Sequence, residues 1–232
     1  MGVRVERGVA PRTPLSRERV LRAAVSVADA GGIESLTMRR LADEVGAEAM
    51  SLYYHVANKE DILDGIVDVI AAEINEAAER VRRPAKGNRW KNAARARILA
   101  AREVLLLHPW APAVFESRTA ISPAVLRYYD GLMGLMREGG FSYDVIHHAL
   151  HALGSRALGF TQELFTPAGG GGGPAAEMPA EMAEALPNLV GMMSEIAHDD
   201  PDSTLGWCDD QAEFEFGLDL LLDGLERMRR QA

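Results

Sequence analysis

The side chains best suited to chemistry lie between Ala49 and Lys59, where Ala49, Met50, Ser51, Tyr53, Tyr54 and His55 run together and only Leu52 and Val56 are large aliphatics. Small, hydroxylic and aromatic groups with no core of their own to fill suit a nucleic-acid groove, since hydroxyls reach phosphate oxygens and methyl-bearing groups touch thymine. Tyr53, Tyr54 and His55 are expected on DNA backbone and bases, with Lys59 and Thr37 on phosphates. Ala49, Met50 and Ser51 are expected at the base-facing positions, and none of these side chains can make a bidentate hydrogen bond to guanine or adenine. Direct readout then leans on Arg39, on thymine-methyl contacts and on DNA shape. The competing reading is that the two tyrosines pack inside the small domain that carries them.

A second group with metal-binding potential is His147, His148 and His151. His147 and His151 stand one helical turn apart, and Glu163 follows several turns later. Without a matching acidic third ligand, histidines that hydrogen-bond at a surface or in a pocket are the better reading, and no metal site is expected. The acidic run from His198 to Asp202 lacks the spacing of a calcium hand. The glycines from Gly169 to Gly173 look like a phosphate loop only in composition, because no Gly-Lys-Ser/Thr follows and no strand precedes. They are expected in a surface loop. With no nucleophile elbow, zinc signature or cofactor loop, no cofactor is expected, and an enzyme acting on a small molecule in the helical body is the rival reading.

Two helices around a glycine must position the first group. Met38 to Val45 places Leu41, Ala42 and Val45 on one face, and Gly46 can adopt the left-handed conformation that ends a helix. The next helix, expected from Glu48 to Tyr54, is too short to be stable alone, so Leu52 and Val56 must anchor it. Polar caps preceded by apolar staples mark other helix starts: Ser16 with Leu15 and Val20, Thr37 with Leu36 and Leu41, Ser142 with Phe141 and Ile146. Asn58 caps a long helix from Lys59 to about Val81, whose Ile62, Ile66, Ile70 and Ile74 share a face. Further helices are expected at roughly 88–107, 110–117, 123–138, 143–165, 177–197 and 209–230, and no strand alternation survives inspection. The fold class is all-α.

In the last helix Phe214, Leu218, Leu221, Leu225 and Met228 form a coiled-coil-like seam, and Leu222 widens it. Either the stripe is core or it is a dimer surface. The expected partner is the 143–165 helix, where Leu150, Leu153 and Leu158 supply apolar surface and Gly154 and Gly159 allow close approach.

The segment LTMRRLADEVG followed by SLYYHVANKEDIL resembles the TetR family of one-component transcriptional regulators. The Trp90 region, the His108-Pro109 turn, the Gly140-Phe141-Ser142 turn and the terminal FEFGLDLLLDGLERM helix are similar to its tetracycline-repressor branch. The resemblance implies an N-terminal three-helix helix-turn-helix domain over residues 1–60, joined by the long helix to a larger ligand-binding and dimerisation domain over residues 61–232. It implies a homodimer on a palindromic double-stranded DNA operator, with half-sites about 34–36 Å apart or somewhat more. A small-molecule effector would release it, so the expected function is repression. Effector contacts are expected among Asn75, Arg97, Phe115, Arg118, His147, His151 and Glu163. In tetracycline-binding relatives a histidine in the segment matching Ala111 to Phe115 holds magnesium. Phe115 stands there in this chain, and Asn75 and Arg97 also depart from the expected types, which argues against tetracycline–magnesium, while Met133, Met136, Phe115 and Trp90 suit a pocket for an apolar or aromatic effector.

Charge agrees with this division. The chain of 232 residues carries a net charge of −9, but residues 1–59 hold nine Lys/Arg against seven Asp/Glu, a net +2 that leaves −11 for the rest. Only the N-terminal piece is electrostatically fit to meet phosphate. A single cysteine, Cys208, excludes an internal disulfide. No apolar run approaches the about eighteen residues of a membrane span, and no secretory signal pattern opens the chain. The expected compartment is the cytoplasm, with no membrane partner.

Overall fold

The structure is a computed structural model, and it describes residues 14–81, 89–159, 184–188, 190 and 210–231. Among the described residues every regular element is helical. The expected 177–197 helix, the end of the 143–165 helix, Glu163, the glycine run and the His198 to Asp202 segment lie largely or wholly outside them. No single described helix is long and apolar enough to cross a membrane.

Local chemistry sets the first four helices. Helix α1 (Arg17–Gly31) starts where the Ser16 hydroxyl accepts the Arg19 N–H, and α2 (Met38–Val45) starts where the Thr37 hydroxyl accepts the Arg40 N–H. Each cap satisfies one of the donors that a helix start leaves unpaired. Helix α2 ends at Gly46, whose N–H reaches the Ala42 and Asp43 carbonyls and whose φ of 66° turns the chain so that the Ala47 N–H meets the Ala42 carbonyl at 2.9 Å. A side chain in that conformation costs about 1–2 kcal/mol, which is why glycine stands there. Helix α3 covers only Ala49–Leu52, shorter than the expected Glu48 to Tyr54. The reason is a tight turn in which the His55 and Val56 N–H groups both reach the Leu52 carbonyl, at 2.8 and 2.9 Å, and which returns Val56 to the interior. Helix α4 (Lys59–Arg80) begins at Asn58, whose side chain accepts the Asp61 N–H.

The remaining helices are α5 (Arg89–Leu107), α6 (Ala111–Ser117), α7 (Pro123–Glu138), α8 (Tyr143–Gly159) and α9 (Asp210–Gln231). The chain divides into two compact units, Met1–Val81 with Leu99–Gly131, and Arg82–Ile98 with Leu132–Ala232.

In the first unit Val20, Ala24, Leu41, Leu52, Val56, Ile62, Ile66 and Ile70 form one core with Trp110, Ala111 and Val114. The four isoleucines of α4 are all buried, and each such side chain contributes about 1.5–3 kcal/mol relative to exposure. A Cβ on Gly65 would overlap the Leu21 side chain, so its absence lets α1 and α4 pack closely.

The core of the second unit includes Trp90, Met136, Phe141, Ile146, Leu153, Phe214, Leu218 and Leu222. Trp90 and Phe141 meet edge to face with ring centroids 4.6 Å apart. The buried Glu226 carboxylate accepts the Trp90 indole N–H at 2.9 Å and pairs with Arg229 and Arg230. Two residues of the expected α9 seam, Phe214 and Leu218, are core, only 0% and 1% exposed. Every fourth residue, Phe214, Leu218, Leu222 and Glu226, turns inward, which moves the buried stripe around the helix and leaves Leu221, Leu225 and Met228 beside it.

Candidate nucleic-acid interface and helical body

Helix α3 and the turn after it form a tip held from within by Leu52 and Val56, which are 0% and 1% exposed. From that base Met50, Tyr53 and Tyr54 project outward at 72%, 48% and 89% exposure. The tyrosines therefore do not pack as core of the small domain. Ala49, Ser51 and His55 are half-buried, while Thr37, Arg39, Arg40 and Lys59 are exposed. Adjacent on α2, Arg39 and Arg40 point about 100° apart.

Two arginines of the first turn of α1 brace this head, and sequence spacing gave no sign of either contact. Arg19 Nη2 donates to the carbonyl of Val45, the last residue of α2, at 2.9 Å. Arg17 Nη1 donates to the His55 carbonyl at 3.0 Å, and the two Nη atoms reach the two carboxylate oxygens of Asp61 at 3.0 and 2.6 Å. Asp61 also accepts the Ala57 N–H at 2.7 Å. Arg17 first, and the Ala57 N–H second, hold the Asp61 carboxyl below the ordinary carboxylate range, and the Arg17 guanidinium is raised in return.

The expected effector residues fall in both units. Asn75, Phe115 and Arg118 belong to the first; Arg97, His147 and His151 belong to the second. Asn75 is only 5% exposed. Its Nδ2 donates to the Ala71 and Ala124 carbonyls, both at 2.8 Å. Its Oδ1 has no hydrogen-bond partner among the described residues. Phe115 packs half-buried against the first core. The Arg118 guanidinium is engaged by Glu60 and Asp64 of α4, at 2.7 and 3.3 Å, and these carboxylates raise it. That pairing gives Arg118 a bracing position between α6 and α4 that the sequence did not suggest. Arg97 is half-buried. His147 and His151 lie on the exposed side of α8 with ring centroids 4.7 Å apart. Among the described residues no group of three His, Cys, Asp or Glu is disposed to hold a metal ion.

Of the expected interface residues, Leu153 joins the core of the second unit, Leu150 is half-buried, and the Leu158 side chain lies outside the described residues. Leu221, Leu225 and Met228 of α9 instead line a groove of about 380 Å³, facing Val145, Ala149 and Leu153 of α8. Its lining is apolar apart from Asp144 and His148.

Two family models match the chain: Bacterial regulatory proteins, tetR family, over residues 20–66, and Tetracyclin repressor-like, C-terminal domain, over residues 83–229. A curated relative from Saccharopolyspora erythraea, an HTH-type transcriptional regulator, is 32% identical over 62% of this chain, a match that spans 59% of the relative. The HTH-type transcriptional repressor DrrR1 of Streptomyces coeruleorubidus is 31% identical, with 97% of this chain and 82% of the relative covered. The solved structure of the TetR family protein ActR of Streptomyces coelicolor in complex with actinorhodin aligns with a TM-score of 0.70 at 25% identity, over 92% of this chain and 96% of that one.

Proposed function

The chain belongs to the TetR family of bacterial transcriptional regulators, and on that footing we propose that it is a repressor of transcription that a small-molecule effector releases from DNA. The division of labour follows residues 1–60 as the DNA-binding head and 61–232 as the effector-binding and dimerisation body. Thr37, Arg39, Ala49, Met50, Ser51, Tyr53, Tyr54, His55 and Lys59 form the reading surface. Two copies of the chain, joined along the α8–α9 groove and Leu221, Leu225 and Met228, present two such surfaces to successive major-groove faces of a palindrome. The regulator works in the cytoplasm, where that DNA is. The relatives are named as regulators and repressors, and the helical-body enzyme has no support among them.

The observation that carries the reading is the exposure of Tyr54 and Met50 above a buried Leu52 and Val56. A folded domain that spends two aliphatic anchors to display aromatic and methyl-bearing groups is built to meet another surface.

Effector binding draws support from Asn75, whose buried Oδ1 has no hydrogen-bond partner among the described residues. A buried acceptor without a donor costs about 1–3 kcal/mol, which a hydroxyl or amine of a ligand recovers. ActR is solved with actinorhodin, which supports a small-molecule effector in this fold, and a hydroxyl-bearing one fits the Asn75 acceptor. Binding favours a body conformation in which the two heads no longer match the groove spacing.

The direct test measures binding to palindromic fragments from the DNA flanking the protein's own gene, for the wild type and for Tyr54→Ala. Tyr54→Ala should fold as well as the wild type and bind the palindrome at least tenfold more weakly, about the loss of one good base or backbone contact. Equal affinity in both proteins, or no preference over bulk DNA, would refute the assignment.

A further inference from the structure

We propose that Arg17 and Asp61 form a clasp that sets the orientation of the Tyr53 to Ala57 turn, making Arg17 a positioning residue for DNA recognition and not a phosphate contact. The proposal rests on the DNA-binding reading above and adds residues that it does not use.

Helix α3 has four residues and no side-chain cap at its N-terminus. Leu52 and Val56 fix how deep the tip sits, and the small Ala47 and Ala49 packed against the same core restrain its rotation only weakly. Arg17 closes that freedom. Its guanidinium holds the His55 carbonyl, one of the acceptors left unpaired beyond α3, and at the same time grips both oxygens of Asp61 in the first turn of α4. Asp61 in turn holds the Ala57 N–H at 2.7 Å and donates its own N–H to Asn58 at 2.8 Å. The start of α1, the turn bearing Tyr53 to His55 and the start of α4 thus converge on a single forked ion pair.

Only arginine presents donors in a fork that can serve a carboxylate and a carbonyl together. The Arg17 and Asp61 side chains are 46% and 29% exposed, and pairs this wet contribute little to global stability. The arrangement therefore matters through geometry, by holding the tyrosine pair at one angle to the groove. The carboxylate also neutralises Arg17, so the guanidinium is spent inside the protein.

The experiment measures palindrome affinity against salt concentration for the full chain and for Arg17→Gln, Asp61→Asn and the double variant, with thermal melts alongside. Asp61→Asn removes a negative charge beside the head, and simple electrostatics would strengthen DNA binding. The clasp makes the opposite outcome the expected one: about tenfold weaker binding, comparable to one lost charge-assisted hydrogen bond, in a protein whose melt scarcely moves. Arg17→Gln should weaken binding by a similar factor without changing the salt slope, and the double variant should be no worse than either single one. Arg17→Lys should rescue only in part. Were Arg17 a phosphate contact, Arg17→Gln would lower the slope by about one while Asp61→Asn bound as well or better, and the clasp would be overturned. A wild type that ignores the palindrome would sink the DNA-binding reading itself, which separates the two failures.

Discussion

His108 Nδ1 lies 2.8 Å from Asp29 Oδ1, joining the residue chain just before α6 to the last turn of α1. The Trp110 indole N–H donates to the same Asp29 oxygen at 2.7 Å, and His108 Nε2 stands 3.3 Å from Glu73 of α4. His108 and Trp110 are both buried. One carboxylate on α1 thus organises the corner between α5 and α6. Asp29→Ala should leave a buried indole N–H and a buried imidazole short of a partner and lower stability by about 1–3 kcal/mol. Urea denaturation of the variant against the wild type reads this directly, and Asp29→Asn, which keeps an acceptor, should recover part of the loss.

The Arg17 pairing gives Asp61 a predictable response to acid. Because the folded state holds this carboxyl below its ordinary range, the stabilisation is fully present above that range and is lost as the pH falls through the depressed folded value. Asp61→Asn should therefore melt almost like the wild type at low pH and slightly below it at neutral pH. The gap should stay under about 1 kcal/mol, since solvent screens so exposed a pair. Melts from neutral to acidic pH check the sign, and a gap that widens on acidification would contradict it.

Leu225 lines the α8–α9 groove and is half-buried within the chain. In the dimer proposed above, Leu225→Glu should leave each chain folded while placing a carboxylate in the apolar contact between copies, a loss of several kcal/mol unless the charge is paired. Sedimentation should show a monomer. Palindrome affinity should fall by about a hundredfold or more, since the two heads no longer share one binding event.

What sequence revealed here was what neighbours in the chain decide. The bounds of α2, Met38 to Val45, are those its cap and Gly46 spell out, and the α4 stripe of Ile62, Ile66, Ile70 and Ile74 is buried as its spacing requires. The end of α3 escaped because returning Val56 to the core takes a turn that no local pattern around Tyr53 announces. On α9 two stripes share Phe214 and Leu218 and diverge after them, and only the burial of Leu222 and Glu226 in the second unit shows which one turns inward. The Arg17–Asp61 and His108–Asp29 contacts join residues far apart in the chain, so periodicity carries no trace of them. Arg118 was expected to face an effector, and its pairing with Glu60 and Asp64 has the same long-range character.

The separation of anchors from displayed residues in the Ala49 to Val56 segment bears on how such a regulator acquires new target genes. Positions 50 and 54 owe almost nothing to the interior, so mutation can sample other side chains there while Leu52 and Val56 keep the scaffold intact. A library randomised at those two sites should retain a high fraction of folded members, and selection from it should redirect the proposed reading surface to unrelated promoters without any change to the proposed effector site.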